Sequence, residues 1–205
     1  MIAIIDYDAG NIKSVEKAVG YLGRDCVTTR DPEVILSADH VILPGVGAFG
    51  DAMGRLKEYG LSDTIKKVCD KGTPFLGICL GLQLLFESSE EAPGVEGLGI
   101  LKGRIKRLPD KDTGGNKLKV PNIGWNSLEL KNRGRLFKGI KDGSFVYFVH
   151  SYYLDADDKS IVRASIEYGT TVDASVEAGN IFACQFHPEK SSETGLTILE
   201  NFINA

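Results

Sequence analysis

Between residues 74 and 83 the sequence reads Pro74-Phe75-Leu76-Gly77-Ile78-Cys79-Leu80-Gly81-Leu82-Gln83, and this stretch decides the fold of the 205-residue chain. The short apolar run Phe75 to Ile78 predicts a buried strand. The segment that starts at Leu80 predicts the beginning of a helix. Cys79 therefore lies at a strand-to-helix junction.

That position gives Cys79 the properties of a nucleophile. A tight turn strains the backbone and holds the side chain out above the sheet, and a helix N-terminus favours the thiolate form. Gly77 and Gly81, two residues to either side, are small enough for strand and helix to approach closely. The pattern is that of a nucleophile elbow with cysteine in the place of serine.

A base for this nucleophile is available in the segment Ile181-Phe182-Ala183-Cys184-Gln185-Phe186-His187-Pro188-Glu189. On an extended segment, side chains two residues apart share a face, so Glu189 is predicted to reach one imidazole nitrogen of His187 while the other faces the thiol. Pro188 ends the strand and stiffens it. Cys79, His187 and Glu189 can thus supply attack, proton transfer and orientation.

Each motif also has a purely structural interpretation. A cysteine in an apolar strand is usually a small core residue, and His-Pro-Glu is often only the end of a strand. The two motifs together favour catalysis, because one supplies a nucleophile and the other a base with its orienting carboxylate. The remaining histidines, His40 and His150, are interpreted as structural.

The order of elements predicts an α/β fold with a central, mostly parallel sheet flanked by helices. Strands at Ile2–Asp6, His40–Leu43 and Phe75–Ile78 alternate with helical segments in the first half, which is typical of βαβ units. The second half predicts an additional mixed or antiparallel sheet region. Its predicted segments are strands at 99–108, 125–130, 145–149 and 161–168, a hairpin turning at Gly179-Asn180, and a final helix at 193–204. We find no linker or repeat and expect one domain over residues 1–205.

Composition excludes several classes of protein. Apolar residues make up 42% and charged residues 25% of the chain, which is ordinary for a globular protein. A net charge of −4 argues against a general nucleic-acid surface, and no apolar run approaches the length of a membrane span. The opening residues lack a signal peptide, and the four cysteines are widely spaced. We therefore expect a cytoplasmic protein with no metal site and no cofactor, in which Cys26, Cys69 and Cys184 pack as core residues.

Several segments together resemble one known family. Gly77-Ile78-Cys79-Leu80-Gly81 and His187-Pro188-Glu189 are similar to the active-site motifs of class I (triad) glutamine amidotransferases, whose fold is flavodoxin-like. Further motifs resemble, within that family, the glutaminase subunits of imidazole glycerol phosphate synthase. These motifs are Tyr7-Asp8-Ala9-Gly10-Asn11, Pro44-Gly45-Val46-Gly47-Ala48-Phe49, Gly124-Trp125-Asn126, Tyr147-Phe148-Val149-His150-Ser151-Tyr152 and Gln185-Phe186-His187-Pro188-Glu189-Lys190-Ser191.

The resemblance implies hydrolysis of L-glutamine to glutamate and ammonia. Cys79, His187 and Glu189 would form the triad, and Gln83, Ser151 and Tyr152 would line the glutamine pocket. The oxyanion of the intermediate needs backbone donors, for which the resemblance implies Leu80 and the glycine-rich segment Gly45, Val46 and Gly47. In the family this segment can hold an inactive orientation until the partner binds its substrate. A plain strand-to-helix turn is the alternative for this segment, and an exposed helix residue is the alternative for Gln83.

The resemblance also implies a partner. Ammonia in water is mostly protonated and is then a poor nucleophile, and this chain carries no second catalytic motif. The implied acceptor is a cyclase subunit with a (β/α)8 barrel, which forms a heterodimer with the glutaminase for histidine biosynthesis. The positions that match the interface are Asn11, Ser14, Asn122, Trp125, Tyr147 and Lys190. The family usually reads Pro-His-Met-Gly-Trp-Asn where this chain has Pro121-Asn122-Ile123-Gly124-Trp125-Asn126. The two differing residues affect individual interface contacts and not the triad. Core packing is the alternative for Trp125.

Three other functions stay open from the sequence. The chain could be the glutaminase subunit of another amidotransferase, for anthranilate, aminodeoxychorismate or pyridoxal phosphate synthesis. It could be a non-catalytic binding subunit with the same fold, although Cys79, His187 and Glu189 are all intact. It could also be a cysteine hydrolase that works without a partner.

Overall fold

The computed structural model describes residues 1–132 and 134–205. The helices are α1 (Ile12–Tyr21), α2 (Pro32–Ser37), α3 (Phe49–Glu58), α4 (Leu61–Asp70), α5 (Leu80–Leu84) and α6 (Ser192–Ile203). The strands are β1 (Ile2–Ile5), β2 (Cys26–Thr29), β3 (His40–Leu43), β4 (Phe75–Ile78), β5 (Ser88–Ser89), β6 (Gly103–Arg107), β7 (Asn122–Ser127), β8 (Glu129–Leu130), β9 (Phe145–His150), β10 (Tyr152–Ala156), β11 (Val162–Glu167), β12 (Thr171–Ala178) and β13 (Ile181–Cys184). Short 3₁₀ turns span Lys159–Ile161 and Pro188–Lys190.

One large sheet organises the described residues. Its strand order is β2-β1-β3-β4-β13-β12-β10-β6-β5, with β11 and β8 attached beside β12. The strands from β2 to β13 run parallel, and β12 and β10 continue the sheet in antiparallel pairing. A separate two-stranded ribbon pairs β7 with β9. The antiparallel region predicted for the second half is thus largely an extension of the parallel sheet.

Helices cover both faces of the parallel half. Successive side chains of β1 point to opposite faces, so Ile4 packs with α1 and α6 while Ile5 packs with α2, α3 and α4. Because both faces are covered, the central strands are continuous apolar runs with no exposed side chains.

Most of the predicted elements of the first half are confirmed, but two elements had not been predicted. The segment between Gly23 and Asp39 holds β2 and α2. Asp31 caps α2 by accepting a hydrogen bond from the Glu33 amide at 2.9 Å, and Pro32 occupies the first helical position. Asp followed by Pro is a known helix-start signal, so α2 was readable from the sequence.

In the second half the hairpin at Gly179-Asn180 is confirmed, while two predicted strands have different bounds. The strand expected from Gly99 begins only at Gly103, because Ile100 and Leu101 both donate backbone hydrogen bonds to the Leu85 carbonyl. The strand expected over 125–130 is divided between β7, which pairs with β9, and β8, which pairs with β11.

The carboxyl ends of the parallel strands meet along one edge of the sheet. The loops that follow β1, β3, β4 and β13 carry residues 6–11, 44–48, 79 and 185–190, which are the segments singled out from the sequence. Ligand sites of open α/β sheets lie at this edge. The topology therefore brings together motifs that are as much as 178 residues apart, as in the Asn11–Glu189 contact.

Candidate active site

Cys79 occupies a strained turn between β4 and α5. Its φ is 54° and its ψ is −107°, in a region that non-glycine residues rarely adopt. A Cβ atom added to Gly77 would lie 2.7 Å from the Gly81 carbonyl oxygen, and one added to Gly81 would lie 1.9 Å from the Leu43 carbonyl oxygen. The prediction that these two glycines permit the close approach of strand and helix is confirmed.

His187 and Glu189 form a buried pair next to this turn. The imidazole Nδ1 lies 2.7 Å from Glu189 Oε1, and both side chains are fully buried. The pair forms across the 3₁₀ turn Pro188–Lys190 and not along an extended segment as predicted, because Pro188 starts the turn directly after His187. Glu189 Oε1 also accepts a 2.6 Å hydrogen bond from Asn11 Nδ2.

The charge state of His187 follows from its neighbours. Burial alone would lower the pKa of His187, but Cys79 and Glu189 together raise that pKa to about 9. The second ring nitrogen, Nε2, is buried and makes no hydrogen bond with any described residue. The imidazole thus holds a proton at neutral pH and has a free Nε2 for a reacting group.

The backbone of His187 is held by the β7–β9 ribbon. The His187 amide donates to the Tyr147 carbonyl at 2.9 Å, and the Tyr147 amide donates to Ser191 Oγ at 2.9 Å. The Ser191 hydroxyl in turn donates to the His187 carbonyl at 2.6 Å. Strand β9 therefore fixes the imidazole's position through a closed set of three hydrogen bonds.

The other three thiols lack these surroundings. Burial raises the pKa of Cys69 to about 12 and raises the pKa of Cys184 well above its ordinary value. The prediction that both are core residues is confirmed, whereas Cys26 is only half-buried, and its burial together with nearby Glu16 and Asp25 raises its pKa too. All three stay protonated at neutral pH, which leaves Cys79 as the candidate nucleophile.

The glycine-rich segment after β3 lies directly over the elbow. The Leu80 amide donates a hydrogen bond to the Gly45 carbonyl at 3.3 Å, so this carbonyl occupies the amide that had been predicted to bind the oxyanion. The Tyr7 hydroxyl donates to the Pro44 carbonyl at 2.9 Å. Burial, with a contribution from Cys79, raises the pKa of Tyr7, so the hydroxyl keeps its proton. Gly47 has a φ of 102°, which only glycine adopts without strain.

A cavity of about 300 Å³ opens onto the Cys79 sulfur. All three residues predicted to bind the substrate line it, and so does part of the glycine-rich segment. The lining residues are Val46, Gly47, Cys79, Leu80, Gln83, Glu91, Pro121, Val149, His150, Ser151 and Tyr152. The Gln83 side chain is buried here and donates to the Tyr152 carbonyl at 3.2 Å, so it is not an exposed helix residue.

Three residues at the site were missed or assigned differently from the sequence. Glu91 lines the cavity and accepts a 2.8 Å hydrogen bond from the Phe49 amide at the start of α3. Gln185 is fully buried against Cys79. Asn11, predicted for the partner interface, binds Glu189. Asn11 and Gln185 both stood in motifs noted in the sequence, whereas Glu91 stood in none.

His150 forms part of the cavity wall as a neutral ring. Burial lowers its pKa to about 4, an effect that the hydrogen bond to the Tyr152 carbonyl opposes and nearby His187 reinforces. Its Nδ1 lies 2.9 Å from that carbonyl and donates to it, which leaves Nε2 to accept from Asn122 Nδ2 at 3.1 Å. His150 is thus held by two hydrogen bonds, and neither of them is to Glu189 or to the thiol.

The residues predicted for a partner interface differ in their exposure. Trp125 on β7 is 49% exposed, and its neighbours Ile123 on β7 and Phe145 on β9, which had not been predicted for the interface, are 57% and 58% exposed. Trp125 packs edge-to-face against Tyr147 with ring centroids 6.0 Å apart, so it is not a core residue. Asn122 is buried against His150, and a direct contact with a partner would need it to leave that position. Ser14 is half-buried and Lys190 is exposed.

Two general features complete the description of residues 1–132 and 134–205. No helix in this part of the chain is both long and apolar enough to cross a membrane. No three acidic, cysteine or histidine side chains in it are grouped so as to hold a metal ion.

Comparison with known proteins agrees with the geometry. The family described as "Glutamine amidotransferase class-I" matches residues 3–205. The chain is 52% identical over 202 residues to the imidazole glycerol phosphate synthase subunit HisH of Bacillus cereus strain G9842, which covers 98% of this chain and 93% of that protein. It is also 52% identical over 202 residues to the HisH subunit of Caldanaerobacter subterraneus subsp. tengcongensis, covering 98% and 97%.

A solved structure titled as a glutamine amidotransferase superimposes with a TM-score of 0.74 at 21% identity, over 98% of this chain and 99% of the other. At that identity the superposition shows the shared fold, and it bears out the fold class expected from the sequence. Together with the sequence matches, it shows that this chain belongs to the class I glutamine amidotransferase family, in the group of the HisH subunits.

Proposed function

We propose that the chain is the glutaminase subunit of an imidazole glycerol phosphate synthase and that residues 1–205 act as one glutamine amidotransferase domain. The observation that carries this proposal is the buried His187–Glu189 pair next to a cysteine in a strained strand-to-helix turn. The names of the relatives favour this synthase over amidotransferases for anthranilate, aminodeoxychorismate or pyridoxal phosphate synthesis.

In the proposed reaction the Cys79 sulfur attacks the carboxamide carbon of glutamine. His187, which already holds a proton as an imidazolium beside the Cys79 thiolate, passes that proton to the leaving nitrogen, so that ammonia departs and a thioester remains. His187 then removes a proton from a water molecule, which attacks the thioester and releases glutamate and the thiol. Glu189 fixes the proton on Nδ1 throughout, and the Asn11 amide holds the carboxylate.

The oxyanion of each tetrahedral intermediate needs two backbone donors. We propose the amides of Leu80 and of the segment Gly45, Val46 and Gly47. The Gly45 carbonyl now accepts from Leu80. Rotation of the Gly45–Val46 peptide would free the Leu80 amide and turn the Val46 amide toward the same point. Losing one such donor typically costs about 3–4 kcal/mol of transition-state stabilisation, so the present orientation is a resting state.

Substrate selection is assigned to the cavity. The polar groups of buried Gln83 and of half-buried Ser151 and Tyr152 would bind the polar ends of glutamine. A molecule without those ends would leave donors and acceptors of the cavity unpaired. Glu91 adds a carboxylate for a positively charged group such as the α-amino group of an amino acid. No cofactor is assigned to any step.

The partner is proposed to be a cyclase subunit with a (β/α)8 barrel that binds across the carboxyl edge of the sheet as a heterodimer. The exposed aromatic and aliphatic side chains of the β7–β9 ribbon suit such a surface. Asn11, Ser14, Asn122, Trp125, Tyr147 and Lys190 remain the proposed contact positions. Ammonia would pass directly to the cyclase and so avoid protonation in water. We propose the cytoplasm as its location, in keeping with four unpaired cysteines.

The test uses the complex of this chain with its cyclase subunit. The Cys79→Ala variant is expected to abolish product formation from glutamine and to leave product formation from added ammonium salts intact. Cys26→Ala on β2 is the matched cysteine control and is expected to leave both activities unchanged. Glutamine turnover at the wild-type rate in Cys79→Ala would overturn the catalytic assignment.

A second assay addresses the resting state. Glutamate release is measured for the chain alone, with the cyclase subunit, and with the cyclase plus its phosphoribosyl-carboxamide substrate. Little release is expected from the chain alone and strong release from the full assembly. High activity without any partner would instead support an independent cysteine hydrolase.

A further inference from the structure

The Gln185 side chain lies between Cys79 and Gln83 and is in hydrogen-bond contact with both. It follows β13 directly, is fully buried, and is anchored by its backbone amide to the Ala174 carbonyl at 2.9 Å. Its Nε2 lies 3.7 Å from Cys79 Sγ, and its Oε1 lies 3.1 Å from Gln83 Nε2. The first distance is within hydrogen-bond range for sulfur.

The direction of both hydrogen bonds follows from Gln83. An amide nitrogen only donates, and Gln83 Nε2 uses its two hydrogens on the Tyr152 carbonyl and on Gln185. The group of Gln185 that faces Gln83 must therefore be the acceptor, its oxygen. The nitrogen of Gln185 then faces the sulfur and donates to it.

The sulfur needs such a donor. A thiolate is a charged acceptor, and hydrogen bonds to charged groups are roughly twice as strong as those between neutral groups. Gln185 Nε2 supplies a side-chain hydrogen bond to the Cys79 sulfur, in addition to the interaction between Cys79 and the protonated His187.

We propose that Gln185 is a positioning residue that donates a hydrogen bond to the Cys79 thiolate and links it to Gln83. The donor stabilises the negative sulfur and holds it beside the cavity, while the acceptor side keeps Gln83 in its position in the cavity wall. The proposal rests on the proposed function, because it takes Cys79 as the nucleophile. The alternative is that Gln185 is a buried polar residue whose only role is to accept the hydrogen bond from Gln83 Nε2.

The test measures alkylation of Cys79 by iodoacetamide, which requires the thiolate and no glutamine. The rate at Cys79 is followed by mass spectrometry between pH 5 and 10 in the full chain, at reagent concentrations in large excess. In Gln185→Met the donor is gone, and we expect alkylation at pH 7 to be slower by about 10- to 100-fold, in line with a lost hydrogen bond to a charged group. The midpoint of the pH dependence is expected to move to higher pH.

Gln185→Glu separates the two roles. A glutamate still accepts from Gln83 but replaces the donor at the sulfur with a negative charge. We expect an upward shift of the alkylation midpoint at least as large as in Gln185→Met, a lower kcat in the complex and a nearly unchanged KM for glutamine. Ser175→Ala, which removes a buried hydroxyl bonded to the Ala183 carbonyl, is the control and should alkylate like the wild type.

Thermal unfolding of each variant checks that it folds. If one Gln185 variant fails to fold, the other alone is enough for the test. Wild-type alkylation midpoints in the folded variants would overturn the proposal and leave Gln185 as a partner of Gln83 only. That result is independent of the Cys79→Ala turnover assay, so failure of the inference and failure of the proposed function are distinguished.

Discussion

The backbone amide of Leu80 donates to the carbonyl oxygen of Gly45, and this 3.3 Å contact joins the turn at the nucleophile to the glycine-rich segment above it. The amide is therefore already satisfied before any substrate oxygen arrives. The contact depends on how the segment is anchored, and its anchor is the Tyr7 hydroxyl on the Pro44 carbonyl.

The first prediction concerns that anchor. A Cβ atom on residue 45 would lie 2.2 Å from the Tyr7 hydroxyl oxygen, so Gly45→Ala is expected to destabilise the chain by about 1–3 kcal/mol through overpacking. Tyr7→Phe removes the hydroxyl and leaves the Pro44 carbonyl unpaired, at a similar cost of about 1–3 kcal/mol. The double variant should lose clearly less than the sum. Urea unfolding of all four proteins measures this, and additive losses would contradict the proposed contact.

The second prediction concerns the elbow. Gly81→Ala places a Cβ atom 1.9 Å from the Leu43 carbonyl, a backbone atom that cannot rotate away. We expect it to destabilise the chain more than Gly77→Ala, whose Cβ would lie 2.7 Å from the Gly81 carbonyl. Gly54→Ala in α3 is the control, since nothing lies within 4 Å of its Cβ position, and it should be neutral or stabilising by up to about 1 kcal/mol. Equal melting temperatures for the three variants would contradict the close approach.

The third prediction concerns pH and His187. Its pKa of about 9 lies above the ordinary value of 6.5, so its contribution to the free energy of unfolding is fully present below pH 6.5 and is lost as the pH rises through about 9. Glutamine turnover should decline over the same range, because the leaving nitrogen then lacks its proton donor. Glu189→Gln removes the carboxylate and should shift both losses to lower pH. Coincident pH–rate profiles for the two proteins would exclude a role for the carboxylate in holding the proton.

The fourth prediction concerns His150 and has the opposite sign. Its pKa of about 4 lies below the ordinary 6.5, so the folded state fails to take up a proton that the unfolded chain binds. The free energy of unfolding should therefore fall as the pH drops from about 6.5 through about 4. His150→Gln removes this group, and its unfolding free energy should fall less between pH 7.5 and 4.5. If the unfolding free energy falls equally in the variant and the wild type, His150 is not the cause of the loss of stability at acid pH.

The fifth prediction concerns the exposed ribbon. Trp125→Ala is expected to weaken binding of the cyclase subunit by about 2 kcal/mol or more, as for aromatic residues at the centre of an interface. The change should be small for the isolated chain, because Trp125 is half-exposed. Lys66→Ala on the outer side of α4 is the control. Isothermal titration calorimetry gives the affinities, and an unchanged affinity in Trp125→Ala would remove the ribbon from the proposed interface.

The sequence predicted those parts of the site that depend on local geometry. The elbow around Cys79 follows from the run Phe75–Ile78, which contains Gly77, and from Gly81 after the cysteine. The His187–Glu189 pair follows from the nearness of the two residues in sequence, although it forms across a 3₁₀ turn and not along an extended segment. Each signal lies within ten residues of chain. The same holds for the hairpin at Gly179-Asn180.

The contacts that were missed depend on tertiary structure. Asn11 and Glu189 meet only because β1 and β13 end at the same edge of the sheet, which sequence spacing does not reveal. The orientation of the Gly45 carbonyl depends on the rotation of one peptide plane, which the pattern of side chains in the sequence does not determine. Glu91 lies in a loop without periodicity, and its role depends on the position of α3.

The place of β13 in the sheet has a consequence for synthesis of the chain. This strand follows every other strand of the described residues in chain order, yet it lies between β4 and β12 and joins the parallel half to the antiparallel half. Until residues 181–184 leave the ribosome, β4 and β12 both present unpaired edges to other chains. A nascent chain stalled before that point would carry the Cys79 thiol without its base and two sheet edges open to aggregation. Completion of the sheet and assembly of the active site therefore both depend on the synthesis of β13 and of the residues directly after it.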